Sequence, residues 1–293
     1  MLDGMELLRP RTLAEALDAL AQRPDAVPIA GGTDLMVEVN FGRLRPDAMV
    51  DVSRLPELRR MGRNGAQVFL GAGVPYTAVM RELPDHVALV QASRTVGSPQ
   101  IRNLGTVGGN LGTASPAGDA LPVLAAYQAQ ILLASVAGQR QVPASAFLLG
   151  PKRNALAAGE LIIGMSWRHA RGPGSFSKIG TRNAMVISMA GLCLQLDEDE
   201  KAVRAALGSV APVIVRADAA EAFAAAAMAE AGTWERPAAG LPDSAIERFG
   251  ELVAAAASPI DDVRGTAAYR RHACAVLGRR ALAWALADRR AAA

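Results

Sequence analysis

The chain has two cysteines, three histidines and, among its basic residues, only three lysines in 293 residues. Two cysteines, Cys193 and Cys274, exclude a disulfide framework, a self-contained iron–sulfur cluster and a cysteine-rich zinc site. His86, His169 and His272 lie far apart along the chain and none has HExxH spacing, so no histidine metal site is expected. Lys152, Lys178 and Lys201 are the lysines; the other basic residues are arginines, and with the heavy alanine content this bias reads as codon usage. The net charge of +3 is not gathered into a run, which argues against a nucleic-acid surface. Met1–Pro10 lacks a basic region followed by an apolar core, so no signal peptide is expected. The longest uncharged stretch, Ala120–Gln139, carries Pro122, Gln128 and Gln130 and reads as a helix and a strand, not a membrane span. No GxxxxGK is present, which excludes P-loop nucleotide hydrolysis.

Apolar residues make up 51% of the chain and charged residues 20%, enough for a packed core. The length suggests one large domain or two to three subdomains. A cytoplasmic α and β protein is the expected class. Thr12-x-x-Glu15 is a capping box that opens an amphipathic helix over 12–22. Val27–Ala30 and Met49–Val52 read as strands. Asn64-Gly65 predicts a hairpin between Leu58–Arg63 and Ala66–Leu70. Helix is expected over 76–94, broken at Pro84, and a long loop over 97–119. Ala137-Gly138 predicts a second hairpin, and Leu161–Trp167 a strand. Arg171–Gly174 is the best linker by composition. Beyond it, Phe176–Gly180, Val186–Leu196 and Ala202–Val210 read as a three-stranded antiparallel sheet. Helices over 219–231, 244–256 and 266–287 follow. On this pattern the domains are 1–57, 58–170 and 171–293.

Two segments point to a ligand. Ala30-Gly31-Gly32-Thr33-Asp34-Leu35 directly follows a strand. Its glycines let backbone N–H groups face outward and Thr33 adds a hydroxyl, a way to hold phosphate without lysine. Taken alone, an ordinary turn capped by Asp34 explains it better. The second is the 97–119 loop, which holds six glycines and only two charges, Arg102 and Asp119. A structureless segment this long inside a compact chain is usually functional. Gly108-Gly109 permits close approach to the backbone. Thr106, Asn110, Thr113 and Ser115 offer hydrogen bonds to a pyrophosphate or ribose, and Asp119 an acceptor for ribose hydroxyls. Ile101, Leu104, Val107 and Leu111 pin the loop to a core. Two such loops suggest an extended diphosphate between them. Val68–Tyr76 imitates a Rossmann start, but Tyr76 replaces the third small residue and no acidic strand end follows, so a plain turn into a helix is expected. Trp167, Trp234 and Trp284 are expected in a core or interface, and Tyr76 and Tyr127 in packing. Arg270, Arg271, Arg279 and Arg280 are expected on a solvated or subunit-facing stripe.

The ordered run AGGTDL, QIRNLGTVGGNLGTASPAGDALPVL, FSKIGTRNAMVIS and DVRGTAAYRRHACAVLGRRAL resembles the FAD-binding medium subunit of molybdenum hydroxylases, the xanthine, carbon monoxide and nicotinate dehydrogenase family. The resemblance covers nearly the whole chain. It implies an α+β fold: a two-part FAD-binding domain of the vanillyl-alcohol-oxidase (PCMH) type, then a smaller α+β domain. It implies FAD held by Ile29, Ala30, Gly31, Gly32, Thr33, Asp34 and Leu35 and by Thr106, Val107, Gly108, Gly109 and Asn110, with Ser115 and Asp119 nearby. Ile162 falls where the family places a main-chain contact to the flavin ring. Lys178 falls where it carries a lysine near the flavin; a cation there favours the anionic reduced ring. The resemblance implies no catalytic acid–base residue and no metal ligand in this chain. It implies a 2Fe-2S small subunit and a molybdenum-cofactor large subunit as partners, in a dimer of heterotrimers. FAD would pass electrons from the clusters to NAD, oxygen or another acceptor. KIGTRNAMVIS resembles the xanthine-dehydrogenase-like branch more than the carbon monoxide branch. The two scattered cysteines do not fit the subgroup that inserts a cluster-binding loop. A free-standing FAD oxidoreductase of the same fold is the alternative, and a non-catalytic assembly protein a more distant one.

Overall fold

The computed structural model describes residues 5–293. The expectation of no leader over Met1–Pro10 therefore rests partly on residues 1–4, outside the described residues. Thr12 caps the first helix as expected: its hydroxyl accepts from Glu15 N, and Glu15 accepts from Arg11 N. That helix, α1 (Leu13–Gln22), follows strand β1 (Glu6–Leu8) and precedes β2 (Val27–Ile29), α2 (Leu35–Asn40) and β3 (Ala48–Asp51). The strands form a parallel sheet in the order β1-β3-β2. Parallel strands need a crossover, and α1 and α2 supply it. Ala16, Leu20, Val50 and Leu55 fill the core beneath them.

The next elements are β4 (Met61–Asn64), β5 (Gln67–Gly71), α3 (Tyr76–Glu82), α4 (Val87–Thr95), α5 (Pro99–Leu104), α6 (Val107–Thr113) and α7 (Ala120–Ala126). Then come β6 (Gln130–Ser135), β7 (Gly138–Pro143), α8 (Ala144–Phe147), β8 (Leu148–Gly150), β9 (Arg153–Asn154) and β10 (Leu161–Arg168). Five strands form an antiparallel sheet, β4-β5-β10-β6-β7. Both hairpins form, with Asn64 opposite Gln67 and Ser135 opposite Gly138. The first turns on Gly65-Ala66 rather than Asn64-Gly65, because Gly65 takes the left-handed φ of +58°. Leu58 and Arg59 end a tight helical turn over Pro56–Arg59, and the strand begins only at Met61.

The expected loop over 97–119 is a correction: it contains α5 and α6. Ser98 caps α5 by accepting from Ile101 N, with Pro99 at the first helical position. Thr106 caps α6 by accepting from Gly109 N at 2.8 Å, and Ala114 ends it in the left-handed conformation. Each helical glycine costs about 1 kcal/mol against alanine. Burial of Val107 and Leu111 and these caps hold the turn despite Gly108, Gly109 and Gly112.

The last third holds β11 (Gly174–Ile179), β12 (Ala190–Asp197), β13 (Ala202–Gly208), β14 (Val215–Arg216), α9 (Asp218–Glu230), α10 (Asp243–Ala255) and α11 (Ala267–Ala292). The sheet has four strands, β11-β12-β13-β14, not three. The short β14 escaped notice because two residues carry no periodicity. Val186–Ser188 is also outside β12, which starts at Ala190. Every residue of β12 is buried. One face, with Cys193 and Ala206, joins the core of α3, α4, α7 and the five-stranded sheet. The other, with Leu192, Leu194 and Leu207, joins α9–α11 and Cys274. Coverage on both faces explains why apolar residues run consecutively over Ala190–Leu194 of β12 rather than alternating with polar ones.

Of the arginines expected on a stripe of the last helix, Arg271 and Arg280 are exposed, but Arg270 is a correction. Arg270 is 3% exposed; its guanidinium donates to Met189 O, Ser209 O and Asp262. Arg279 pairs with Glu247 of α10. Trp167 and Trp234 are buried, whereas Trp284 is half-exposed. Among the described residues, no helix is long and apolar enough to cross a membrane.

Candidate functional site

The two glycine-rich segments meet face to face. The turn after β2 presses on the end of α5 so closely that a Cβ on Gly31 would lie 1.9 Å from Leu104 O. Gly32 follows with a φ of +66°, a conformation glycine adopts at no steric cost. Thr33 lies beside Gly105, and Thr113 at the end of α6 donates to Asp34 Oδ2 at 3.1 Å. Asp34 caps α2 by position only; its carboxylate is turned to Thr113 instead.

The glycines of α6 divide between two faces. Gly108 is buried, and a Cβ there would be 2.4 Å from Ala72 O, so its missing side chain admits the turn after β5. Gly109 and Gly112 are exposed on the other side and bare the backbone. Helix geometry leaves the first N–H groups without intrahelical acceptors. Thr106 Oγ1 takes that of Gly109, so the N–H groups of Val107 and Gly108 remain for other acceptors. Ile162 reaches Gly112 from β10, 4.0 Å from the position of its Cβ. There β10 carries a bulge against β6: Ile162 pairs with Leu133 and Gly164 with Leu132, leaving Ile163 extra. Asn154 Nδ2, on β9, fixes the far end by donating to Gly112 O.

Asp119 and Lys178 form the second part of the arrangement. Lys178 Nζ lies 2.6 Å from Asp119 Oδ2, with both side chains under 10% exposed. The ammonium also donates to Thr95 O and Val186 O, and Thr95 Oγ1 donates to the same carboxylate oxygen. Lys178 is thus neither solvated nor a bare cation. Its three donors are engaged and its charge is matched. Burial pushes the Asp119 carboxyl above its ordinary pKa, against the pull of Lys178 and Thr95. The other oxygen, Oδ1, is buried and meets no protein donor, as is Asn110 Oδ1. Asn110 Oδ1 lies against Gly118, the residue before Asp119: a Cβ there would sit 2.8 Å from that oxygen. Ser115 secures its own turn by accepting from Ala117 N.

The structure therefore brings together the Ile29–Leu35 turn, Thr106–Asn110 and Ile162, with Asp119 and Lys178 joined behind Asn110. Sequence reasoning did not single out Thr95, which orients Asp119, or Gly112, the second bare position on α6. Gly112 stands three residues after Gly109, one helical turn on; a helical reading of the segment would have exposed it. These features suit a dinucleotide: backbone without side chains lies bare on one face of α6 beside the Gly31–Asp34 turn, and two buried acceptors match donors such as ribose hydroxyls.

A separate group lies at the opposite end of the five-stranded sheet. His86 and His169, 83 residues apart, have His169 Nδ1 and His86 Nε2 at 3.2 Å. Distance along the chain was misleading here, because the α3–α4 turn returns to the end of β10. Asp85 Oδ1 accepts from His86 Nδ1 at 3.0 Å. Burial lowers the pKa of both histidines. Burial also opposes ionisation of Asp85, but hydrogen bonds from Arg63 and His86 prevail and hold its carboxyl at about 2.

Comparison with known proteins gives a consistent picture. The family described as the FAD binding domain in molybdopterin dehydrogenase matches residues 3–166, and the CO dehydrogenase flavoprotein C-terminal domain matches residues 176–285. The nicotinate dehydrogenase FAD-subunit of Eubacterium barkeri is 37% identical over 68% of this chain and 70% of its own. The carbon monoxide dehydrogenase medium chain of Hydrogenophaga pseudoflava is 28% identical over 94% of this chain and 96% of its own. A solved structure of that organism's carbon monoxide dehydrogenase superposes with a TM-score of 0.85, at 27% identity over 97% of both chains.

Proposed function

The chain belongs to the family of FAD-binding domains of molybdopterin dehydrogenases, and on that premise we propose that it is the electron-transfer flavoprotein subunit of a molybdenum hydroxylase complex. The family and its FAD-subunit relatives make it an FAD-binding oxidoreductase subunit. Bound FAD supplies the redox centre, accepting electrons from a 2Fe-2S subunit and passing them to NAD, oxygen or another acceptor. The 2Fe-2S and molybdenum-cofactor subunits are its proposed partners, in a dimer of heterotrimers in the cytoplasm. The xanthine-dehydrogenase-like branch is the proposed placement, on the strength of KIGTRNAMVIS.

The observation that carries this reading is the closed contact between the Gly31–Asp34 turn and α5–α6, with Gly109 and Gly112 left bare beside it. Gly31, Gly32, Thr33 and the Val107–Gly109 backbone bind the pyrophosphate. The Thr113–Asp34 bond fixes the distance between the two segments. Asp119 Oδ1 and Asn110 Oδ1 accept from the ribitol or ribose hydroxyls. Lys178 and Thr95 act through Asp119: they hold Oδ2 and so orient Oδ1. This replaces the role of Lys178 as a free cation beside the flavin. The bulged backbone at Ile162–Gly164 is the proposed edge contact for the flavin ring.

The test is to co-express the chain with its genomic neighbours, purify it, release the yellow cofactor by heat and identify it. FAD with two copurifying subunits is the expected result. FAD in a lone chain active on its own substrate would establish the free-standing enzyme instead. An assembled complex without flavin would overturn the reading.

A further inference from the structure

We propose that His86 and His169, oriented by Asp85, form a binding site for a divalent cation of the zinc class, apart from the FAD groove. The two imidazoles come from different elements. His86 caps α4 and is 2% exposed; His169 directly follows β10, its N–H donating to Ala66 O. Their facing nitrogens, His86 Nε2 and His169 Nδ1, are 3.2 Å apart. Two imidazole nitrogens bound to one tetrahedral zinc at about 2.0–2.1 Å stand about 3.3–3.4 Å from each other. The observed spacing is close to that value, so the two nitrogens stand at the separation a shared cation needs, with the cation off the line between them.

Asp85 sets the tautomer that such a site requires of His86. Its Oδ1 accepts from His86 Nδ1 at 3.0 Å, which puts the proton on Nδ1 and the lone pair on Nε2. This is the carboxylate–histidine–metal arrangement that orients ligands in zinc centres. Its Oδ2, paired with Arg63, lies 3.9 Å from His169 Nε2, beyond hydrogen-bond reach; a metal that takes Nδ1 would itself leave the His169 proton on Nε2. A cation set off the line between the two nitrogens would take the lone pairs of both. Without metal, one of these nitrogens must carry a proton to bridge the pair.

The surroundings fit the remaining coordination positions. His86 and His169 line a cavity of about 120 Å³ that also takes in Asp288 of α11 and Gln195 of β12. That is room for the one or two waters a two-histidine site needs, since a water requires about 10–15 Å³. Trp167 and Tyr127 close on His86, with ring centroids at 5.5 and 6.1 Å, and hold its orientation. Imidazole with carboxylate support selects zinc, copper or nickel over magnesium and calcium. Because the cavity is walled by β10, the α3–α4 turn, β12 and α11, a bound cation would tie the FAD-binding part to the C-terminal part.

The test uses the protein as purified, with its flavin and any copurifying subunits, stripped by a chelator and titrated with zinc by calorimetry. The expected result is one zinc per chain, with X-ray absorption showing imidazole ligands. His169→Ala should lose the site. Asp85→Asn should weaken it about tenfold to a hundredfold, as loss of a supporting carboxylate does. Neither side chain belongs to the FAD groove, so flavin content should stay at the wild-type level in both. If His169→Ala does not fold, Asp85→Asn decides alone. Absence of stoichiometric zinc binding, or binding that Asp85→Asn leaves unchanged, would overturn the proposal.

Discussion

Glycine does opposite work in two regions of this molecule. In α10 and α11 it closes a gap. Gly250 and Gly278 are both buried where the helices cross: a Cβ on Gly250 would meet Ala275 O at 2.7 Å, and one on Gly278 would meet Val253 Cβ at 3.1 Å. In α6 only Gly108 behaves this way, while Gly109 and Gly112 face outward and bare the backbone beside the Gly31–Asp34 turn. The C-terminal pair supports a core; the α6 set also presents a surface. Spacing tells them apart. Consecutive glycines point about 100° apart around a helix, so a doublet can pack one position against a neighbour while leaving the next one bare.

The largest expected effect comes from cutting the ion pair that joins β11 to the start of α7, behind the two regions. Lys178→Met leaves the buried Asp119 unmatched and should destabilise the chain by about 3–5 kcal/mol. The pH dependence has a definite sign. Burial already raises the Asp119 pKa in the folded state. Stability linked to that group is present below its unfolded value and lost as pH rises through the folded one. Removing Lys178 raises the folded pKa further, so the loss should be smallest in acid and largest near neutrality. Urea midpoints at pH 5 and pH 8 check this; a larger loss at pH 5 would contradict it.

Gly108→Val should come next. The side chain would enter the backbone of Ala72, with O, Cβ and Cα all within 2.7 Å of the new Cβ. Overpacking of this kind costs about 1–3 kcal/mol, and more where backbone must move. FAD should be lost along with the thermal midpoint, because α6 is pushed away, not because the valine occupies the ligand's place. Gly250→Ala should destabilise within the same range of about 1–3 kcal/mol and leave FAD content unchanged. A calorimetric scan of both variants, with flavin quantified before heating, separates packing from presentation. Flavin loss from Gly250→Ala would mean the two regions are not independent.

Much of this division was legible in the sequence, and what was not has physical causes. The turn after β2 and the glycine-rich segment were visible as motifs because glycine, threonine and asparagine clusters are rare inside regular elements. The two short helices in 97–119 were not, although Ser98-Pro99 and Thr106 are ordinary helix-start signals. Glycine content outweighed them, since propensity takes no account of the burial of Val107 and Leu111. Arg270 reads as solvated or subunit-facing because a helix pattern does not show that Met189 O and Ser209 O lie in reach. The His86–His169 contact was hidden for the same reason: it depends on two elements far apart in the chain meeting at one end of a sheet.

The smallest change in stability should give the sharpest separation. Gly109→Ala places a methyl group on the outer face of α6, where its nearest neighbour is Thr106 Oγ1 at 3.2 Å. That hydroxyl must shift by a few tenths of an ångström, which weakens the cap slightly. Against this, alanine is favoured over glycine inside a helix by about 0.8–1 kcal/mol. The thermal midpoint should therefore stay level or rise by a few degrees. FAD affinity should nevertheless fall at least about tenfold, or about 1.4 kcal/mol, because the methyl group stands where the pyrophosphate must approach the backbone. Flavin fluorescence titration of the deflavinated variant measures this. A Gly109→Ala protein that is as stable as the wild type and binds FAD equally well would show that the outer face of α6 is not the binding face, whatever Gly108 does on the inner one.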